Sequence, residues 1–108
     1  MNVVTQIEVY EIDQDSEYAE QIDEWSCGLW WSDFEEADIK ACYVAVKRDR
    51  PVGFQTVNSD GLCIAIEVDP QYQGQGIASQ LIKESGCWRP DRNENPEFWS
   101  AIQENFGW

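Results

Sequence analysis

Val68-Asp69-Pro70-Gln71-Tyr72-Gln73-Gly74-Gln75-Gly76-Ile77-Ala78 lies between an apolar run and an amphipathic one, and the reading of the whole chain turns on it. Upstream, Leu62 to Val68 is almost continuously apolar, which predicts a strand buried on both faces. Downstream, Ile77, Ala78, Leu81 and Ile82 recur at helical spacing as far as Gly86, which predicts a helix over 77–85 closed by a glycine. A strand that enters a helix through Gln73-Gly74-Gln75-Gly76 leaves the first helical N–H groups, and the positive end of the dipole, facing the loop. Glycines let those amides approach an anion with no Cβ in the way, so the segment reads as a cradle for phosphate or pyrophosphate. The loop carries no basic side chain and needs none for this. Gly-x-Gly alone also describes an ordinary strand-to-helix turn. Other nucleotide motifs fit poorly, because no Gly-Lys-Ser/Thr follows and the upstream strand belongs to a meander rather than a βαβ unit.

Working outward, Tyr43 to Lys47 and Val52 to Val57 read as strands, separated by the turn Arg48-Asp49-Arg50-Pro51. The Asp60-Gly61 pair within Asn58-Ser59-Asp60-Gly61 marks the next hairpin turn. With 62–68 these segments make a three-strand antiparallel meander. Val3 to Tyr10 alternates loosely and predicts a first strand, and Asp15 or Ser16 caps a helix carrying Tyr18, Ala19, Ile22 and Trp25. Leu29 to Ala37 suggests a second short helix. Cys87-Trp88-Arg89 suggests a short strand, and Asn95-Pro96 opens a last helix with proline at its first position.

Val68-x-Pro70-x-x-Gln73-Gly74-x-Gly76-Ile77-Ala78 resembles the acetyl-CoA signature of the GNAT acyltransferases. The order of elements is similar too, most clearly from Tyr43 to Ser85, and Asn95 to Trp108 resembles the family's late segment with Gly107-Trp108 in place of Gly-Phe. The resemblance implies an α+β fold, a mostly antiparallel twisted sheet flanked by helices, occupying 1–108 as one domain and shortened at the C-terminus. It implies that the backbone of Ile66, Glu67 and Val68 holds the pantetheine arm and thioester, with an N–H near Ile66 or Val68 facing the oxyanion. The amides of Gln73, Gly74, Gln75, Gly76, Ile77 and Ala78, with Ser79 beyond, would hold the pyrophosphate. The implied reaction is acetyl transfer from acetyl-CoA to a primary amine by direct attack on the thioester, with no metal.

The departures bear on catalysis. Where the family often has a tyrosine acid the chain has Gln103, counted here with the residues expected at the cofactor but lacking comparable acidity. Glu67 is the carboxylate nearest the expected thioester and the candidate general base, with Tyr43 and Tyr72 as further candidates. Asp33, Glu35 and Glu36 also belong to a segment that flanks the acceptor cleft in the family. Trp30 and Trp31 are adjacent, so both cannot point inward, and one of them is a candidate wall for an apolar or cationic acceptor. The family usually continues with more strands beyond this segment, so an exposed sheet edge is expected here, and a homodimer would cover it. The rival reading is a GNAT-like module that has lost catalysis and binds CoA or a basic protein.

Composition narrows the partners. The 108 residues include 21 acidic and 7 basic ones, for a net charge of −14. That balance disfavours nucleic acid and anionic membranes and favours a cationic amine acceptor, small-molecule or peptide. No apolar run reaches about 18 residues, so no membrane helix is expected. Glu8 and the lack of early basic residues argue against a leader, so a cytoplasmic location is expected. The four cysteines form no Cys-x-x-Cys pair and histidine is absent, which removes zinc sites of the usual kind, Cys-His pairs and Ser-His-Asp triads.

Overall fold

A computed structural model describes residues 7–12, 16–25, 39–90 and 96–106. Four strands, β1 (Glu8–Ile12), β2 (Ile39–Lys47), β3 (Arg50–Asn58) and β4 (Cys63–Val68), form one sheet in the order β1-β2-β3-β4. Every pairing is antiparallel. Three helices accompany it: α1 (Ala19–Asp23), α2 (Ile77–Ser85) and α3 (Pro96–Phe106). This is the α+β architecture that the sequence predicts. The predicted second helix over 29–37, with Trp30, Trp31, Asp33, Glu35 and Glu36, lies outside the described residues.

The strands alternate their side chains between two cores, as the pleat requires. Cys42, Val44 and Val46 of β2 pack with Phe54 and Ile22, the face covered by α1. Ala45, between them in sequence, packs with Val52, Ile77 and Leu81 on the face covered by α2. A third cluster, with Val57, Cys63, Ile82, Cys87, Trp99 and Ile102, fastens α3 to the far end of α2 and β4. Proline opens α3 at Pro96, as its spacing predicts.

Three expectations need correction. The strand buried on both faces is β3, not β4: every residue of β3 from Pro51 to Asn58 is buried, whereas half or more of β4 is partly exposed. β3 has strands on both sides and a helix over each face, while β4 is an edge among the described strands. Its polar Gln55 is satisfied inside the core, donating from Nε2 to the Cys87 carbonyl at 2.9 Å and accepting from Ser85 Oγ at 2.6 Å. Residues 87–89 make no strand. The Cys63 N–H donates to the Arg89 carbonyl at 2.8 Å, and one parallel bridge joins Cys63 to Pro90. Finally, the β2–β3 turn is only two residues long, and both Arg48 (φ 53°) and Asp49 (φ 62°) are left-handed, the region a tight hairpin demands but glycine or asparagine more often fills.

α2 lies unusually close to the sheet at Gly53. A Cβ placed there would come within 3.0 Å of Ile77 Cγ2, 3.2 Å of Leu81 Cδ1 and 3.2 Å of the Glu67 carbonyl oxygen. One of these contacts is backbone and cannot swing away, so a side chain at this position forces helix and sheet apart. Gly53→Ala is therefore expected to lower stability by about 1–3 kcal/mol, the usual cost of overpacking a core. Urea unfolding of the two proteins measures it, and an unchanged midpoint would contradict the packing described.

The described cysteines are core residues. Burial raises the Cys63 thiol to about 12 and moves Cys42 further still from its ordinary value. In the unfolded chain such thiols ionise from about pH 8.5, while in the fold they stay protonated. The native state then binds more protons, so stability is whole below that pH and falls as pH rises toward the folded values, by about 1.4 kcal/mol per unit for each thiol. Comparing unfolding free energies at pH 8 and 9.5 should show this loss, and Cys63→Ala should reduce its slope. An identical slope in the variant would contradict the assignment.

Candidate functional site

The far edge of β4 frames an opening. Beyond the Cys63–Pro90 bridge no strand pairs with it among the described residues, so the described chain after α2 touches β4 at one end. α3 closes the other side, with Phe98 and Trp99 packed edge to face, ring centroids 5.0 Å apart. Between them lies a cleft of about 530 Å³, walled by Ile66, Glu67 and Val68 of β4, by the loop after it, by the start of α2, and by Trp25, Phe98 and Trp99.

Loop geometry builds the floor. The Asp69 N–H donates to the Val52 carbonyl at 2.9 Å, and its carboxylate, buried, accepts from the Gln71 N–H at 3.0 Å. That cap starts a single 3-10 turn over Pro70–Tyr72, which carries the chain off the strand end. Gly74 (φ 82°) and Gly76 (φ 78°) then take left-handed conformations that other residues adopt at a cost, and nothing lies within 4 Å of where a Cβ would stand on either. Gly76 is the N-cap of α2, and no side chain caps that helix. Its carbonyl accepts from the Gln80 N–H at 3.0 Å. The amides of Ile77, Ala78 and Ser79 come one turn too early to have a helical acceptor. The positive end of α2 thus opens on the cleft.

The structure brings together most of the residues singled out in the sequence. Ile66, Glu67, Val68, Gln73, Gly74, Gly76, Ile77, Ala78 and Ser79 all line the cleft. Gln73 does so with its side chain turned back, Nε2 donating to the Val68 carbonyl at 3.3 Å, so that it braces the loop against the strand end. Gln75 and Gln103 are not in the cleft wall. Gln75 points its amide oxygen at Lys47 Nζ, 3.2 Å away, on the outer side of the loop. Gln103 sits further along α3, whose first turn rather than its middle closes on β4. Trp30 and Trp31 lie outside the described residues.

Glu67 is half-buried on the face that carries Phe54, its partner in the ladder. It is an edge-strand residue, not one at the end of a central strand. Tyr43 is half-buried packing rather than a wall: it lies against the clusters of the α2 face, and burial, with Glu11 beside it, raises its hydroxyl above the ordinary range. Tyr72 does line the cleft. None of the described cysteines does, and no group of three or more metal-ligating side chains exists among the described residues.

Sequence reasoning missed the aromatic walls. Trp25 keeps helical spacing and reads as core, and its ring does pack on Phe54 with centroids 6.0 Å apart. Yet it also faces the cleft, and its Nε1 is shielded from solvent with no acceptor among the described residues. Phe98 and Trp99 are likewise part core, part wall. Period-based reading sees that a side chain is turned from water, but not whether it faces a core or a groove.

The arrangement offers convergent backbone donors at a helix start, an unpaired strand edge beside them, one carboxylate and aromatic walls. The chain's sequence matches no curated protein. The fold is similar to that of the aminoglycoside N-acetyltransferase AAC(6')-Iy, solved in complex with CoA, at a TM-score of 0.68 and 18% identity over 100% of this chain and 91% of that one. The same enzyme in complex with a bisubstrate analog, CoA-S-monomethyl-acetylneamine, matches at a TM-score of 0.67 and 18% identity, covering 96% and 91% of the two chains. A GNAT-family acetyltransferase from Streptococcus pneumoniae TIGR4 matches at 0.64 and 20% identity, covering 95% and 87%. A family model described as an acetyltransferase (GNAT) domain matches residues 38–105, more than half of the chain, from the start of β2 to within one residue of the end of α3. The chain belongs to the GNAT acetyltransferase family and is an acetyltransferase.

Proposed function

We propose that the protein is an N-acetyltransferase that takes its acetyl group from acetyl-CoA and delivers it to a primary amine. The observation that carries this reading is the uncapped start of α2, opening over two left-handed glycines into a cleft bordered by an unpaired strand edge. The residues present fit the co-substrate. Amides from Gln73 to Ser79 suit a pyrophosphate, and the open space over Gly74 and Gly76 lets it come close. The edge of β4 at Ile66 to Val68 offers main-chain donors and acceptors to an amide-bearing arm, much as a strand would.

Acetyl-CoA bound there supplies the acetyl group already activated as a thioester. The protein's part is to bind, orient and move protons. Glu67 is the carboxylate of the cleft wall, and as general base it takes a proton from the incoming ammonium so that the nitrogen lone pair is free. A backbone N–H at the β4 edge would stabilise charge growing on the carbonyl oxygen. The nitrogen attacks the thioester carbonyl, the C–S bond breaks from the tetrahedral intermediate, and the second proton, shed by the nitrogen as the amide forms, passes through solvent to the departing thiolate. The acceptor reaches Glu67 from the side of Trp25, where an aromatic face suits a cationic molecule. A net charge of −14 raises the local concentration of such acceptors. That AAC(6')-Iy is solved with an analog joining CoA to acetylneamine supports an amine of this kind.

Calorimetric titration with acetyl-CoA tests the site. The intact protein should bind, and Gly76→Trp, which fills the space over the helix start, should abolish binding while still unfolding cooperatively, at a stability cost of about 1–3 kcal/mol for a non-glycine in a left-handed conformation. No binding by the intact protein would overturn the reading. Glu67→Gln separates the chemistry from the site: acetyl-CoA affinity should hold, while turnover with an accepted amine drops by about 10²–10⁴-fold, the usual worth of a general base. Undiminished turnover would remove Glu67 from that role.

A further inference from the structure

We infer that the β2–β3 hairpin tip recognises the 3′-phosphate of coenzyme A, so that the protein discriminates CoA from its 3′-dephospho form. The inference rests on the cofactor reading above and adds a second anion site to it. Three of the chain's seven basic residues, Lys47, Arg48 and Arg50, fall within four positions of a protein that otherwise carries 21 acidic ones. They line a cavity of about 350 Å³ together with Tyr72. Tyr72 also lines the main cleft, so one ring divides the two spaces. Lys47 Nζ stands 5.6 Å from the centre of that ring and donates to the Gln75 side chain, inside the glycine loop, at 3.2 Å. The cations are therefore tied to the outer side of the loop whose amides face the cleft.

The need for them follows from charge. A phosphomonoester brings about −1.5 to −2 near neutral pH, in addition to a pyrophosphate, toward a molecule of net charge −14. The loop contributes helix-start amides but no cationic side chain, so attraction at the nucleotide end has to come from elsewhere in the fold. Among the described residues, Lys40 is exposed at the other end of β2, Lys83 is exposed on α2, and Arg89 lies over Trp88 at 4.5 Å. Among these residues the hairpin tip is where cations gather beside the loop. Two carboxylates moderate it: Asp49 shares the turn, and buried Asp69 pairs with Arg50 at 3.7 Å. Arg50 is thus partly committed to the loop's foundation, and the test falls on Lys47 and Arg48.

Titration calorimetry with CoA and with 3′-dephospho-CoA, on the intact protein and on the double variant Lys47→Ala, Arg48→Ala, decides the matter. The intact protein should bind 3′-dephospho-CoA about tenfold more weakly than CoA, the worth of two or three partly exposed charge pairs. In the double variant CoA should fall to the level of the dephospho form, which itself should barely change, and the preference should shrink in high salt. Equal affinity of the intact protein for both ligands would overturn the proposal while leaving the cofactor site standing. Equal weakening of both ligands in the double variant would overturn it as well, making the hairpin a brace for the loop. Failure of the intact protein to bind either ligand would overturn the cofactor reading itself and this inference with it.

Discussion

The contact of α2 with β3 at Gly53 sets where everything else in the site can be. With no side chain at that point, Ile77 and Leu81 descend onto the sheet, and Ile77 is the first residue of the helix. The helix start is thereby pinned at the end of β4, and the loop from Asp69 to Gly76 has only a short gap to cross. A larger residue at 53 would lift the helix, and its amides would no longer converge on the cleft. Core packing and the proposed anion binding share one constraint here: the close approach at Gly53 also aims the positive end of α2.

Charge organises the remainder. The protein is strongly acidic, yet the proposed co-substrate is anionic, and on that proposal backbone dipoles stand where cationic side chains would be expected. An uncapped helix start costs some helix stability, since a capping side chain typically contributes about 1 kcal/mol. Leaving it open is sensible only if something else satisfies the amides. The polar groups that could have competed are turned elsewhere, with Gln73 held on the strand end and Asp69 spent on the 3-10 turn.

The strand-loop-helix unit was legible because its signals are local: an apolar run, two glycines and a helical period within some twenty residues. The meander was legible for the same reason. What escaped was set by distant partners. β3 did not read as the most buried strand because Gln55 and Thr56 interrupt its apolar pattern, but Gln55 finds its partners at Ser85 and Cys87, thirty residues on. β4 read as buried on both faces from its apolar run, and its edge position among the described strands depends on which segments pair with it, which no property of β4 encodes. Gln103 was placed in the site by counting from the chain end, whereas α3 meets the cleft through Phe98 and Trp99.

The central claim is that the exposed start of α2 is the anchor for acetyl-CoA. Amide chemical shifts of ¹⁵N-labelled protein, followed as CoA is added, test it most directly. The account predicts that the largest perturbations fall on Gly74, Gly76, Ile77, Ala78 and Ser79, with smaller ones along Ile66 to Val68. Perturbations centred elsewhere, with these amides unmoved at saturation, would contradict it.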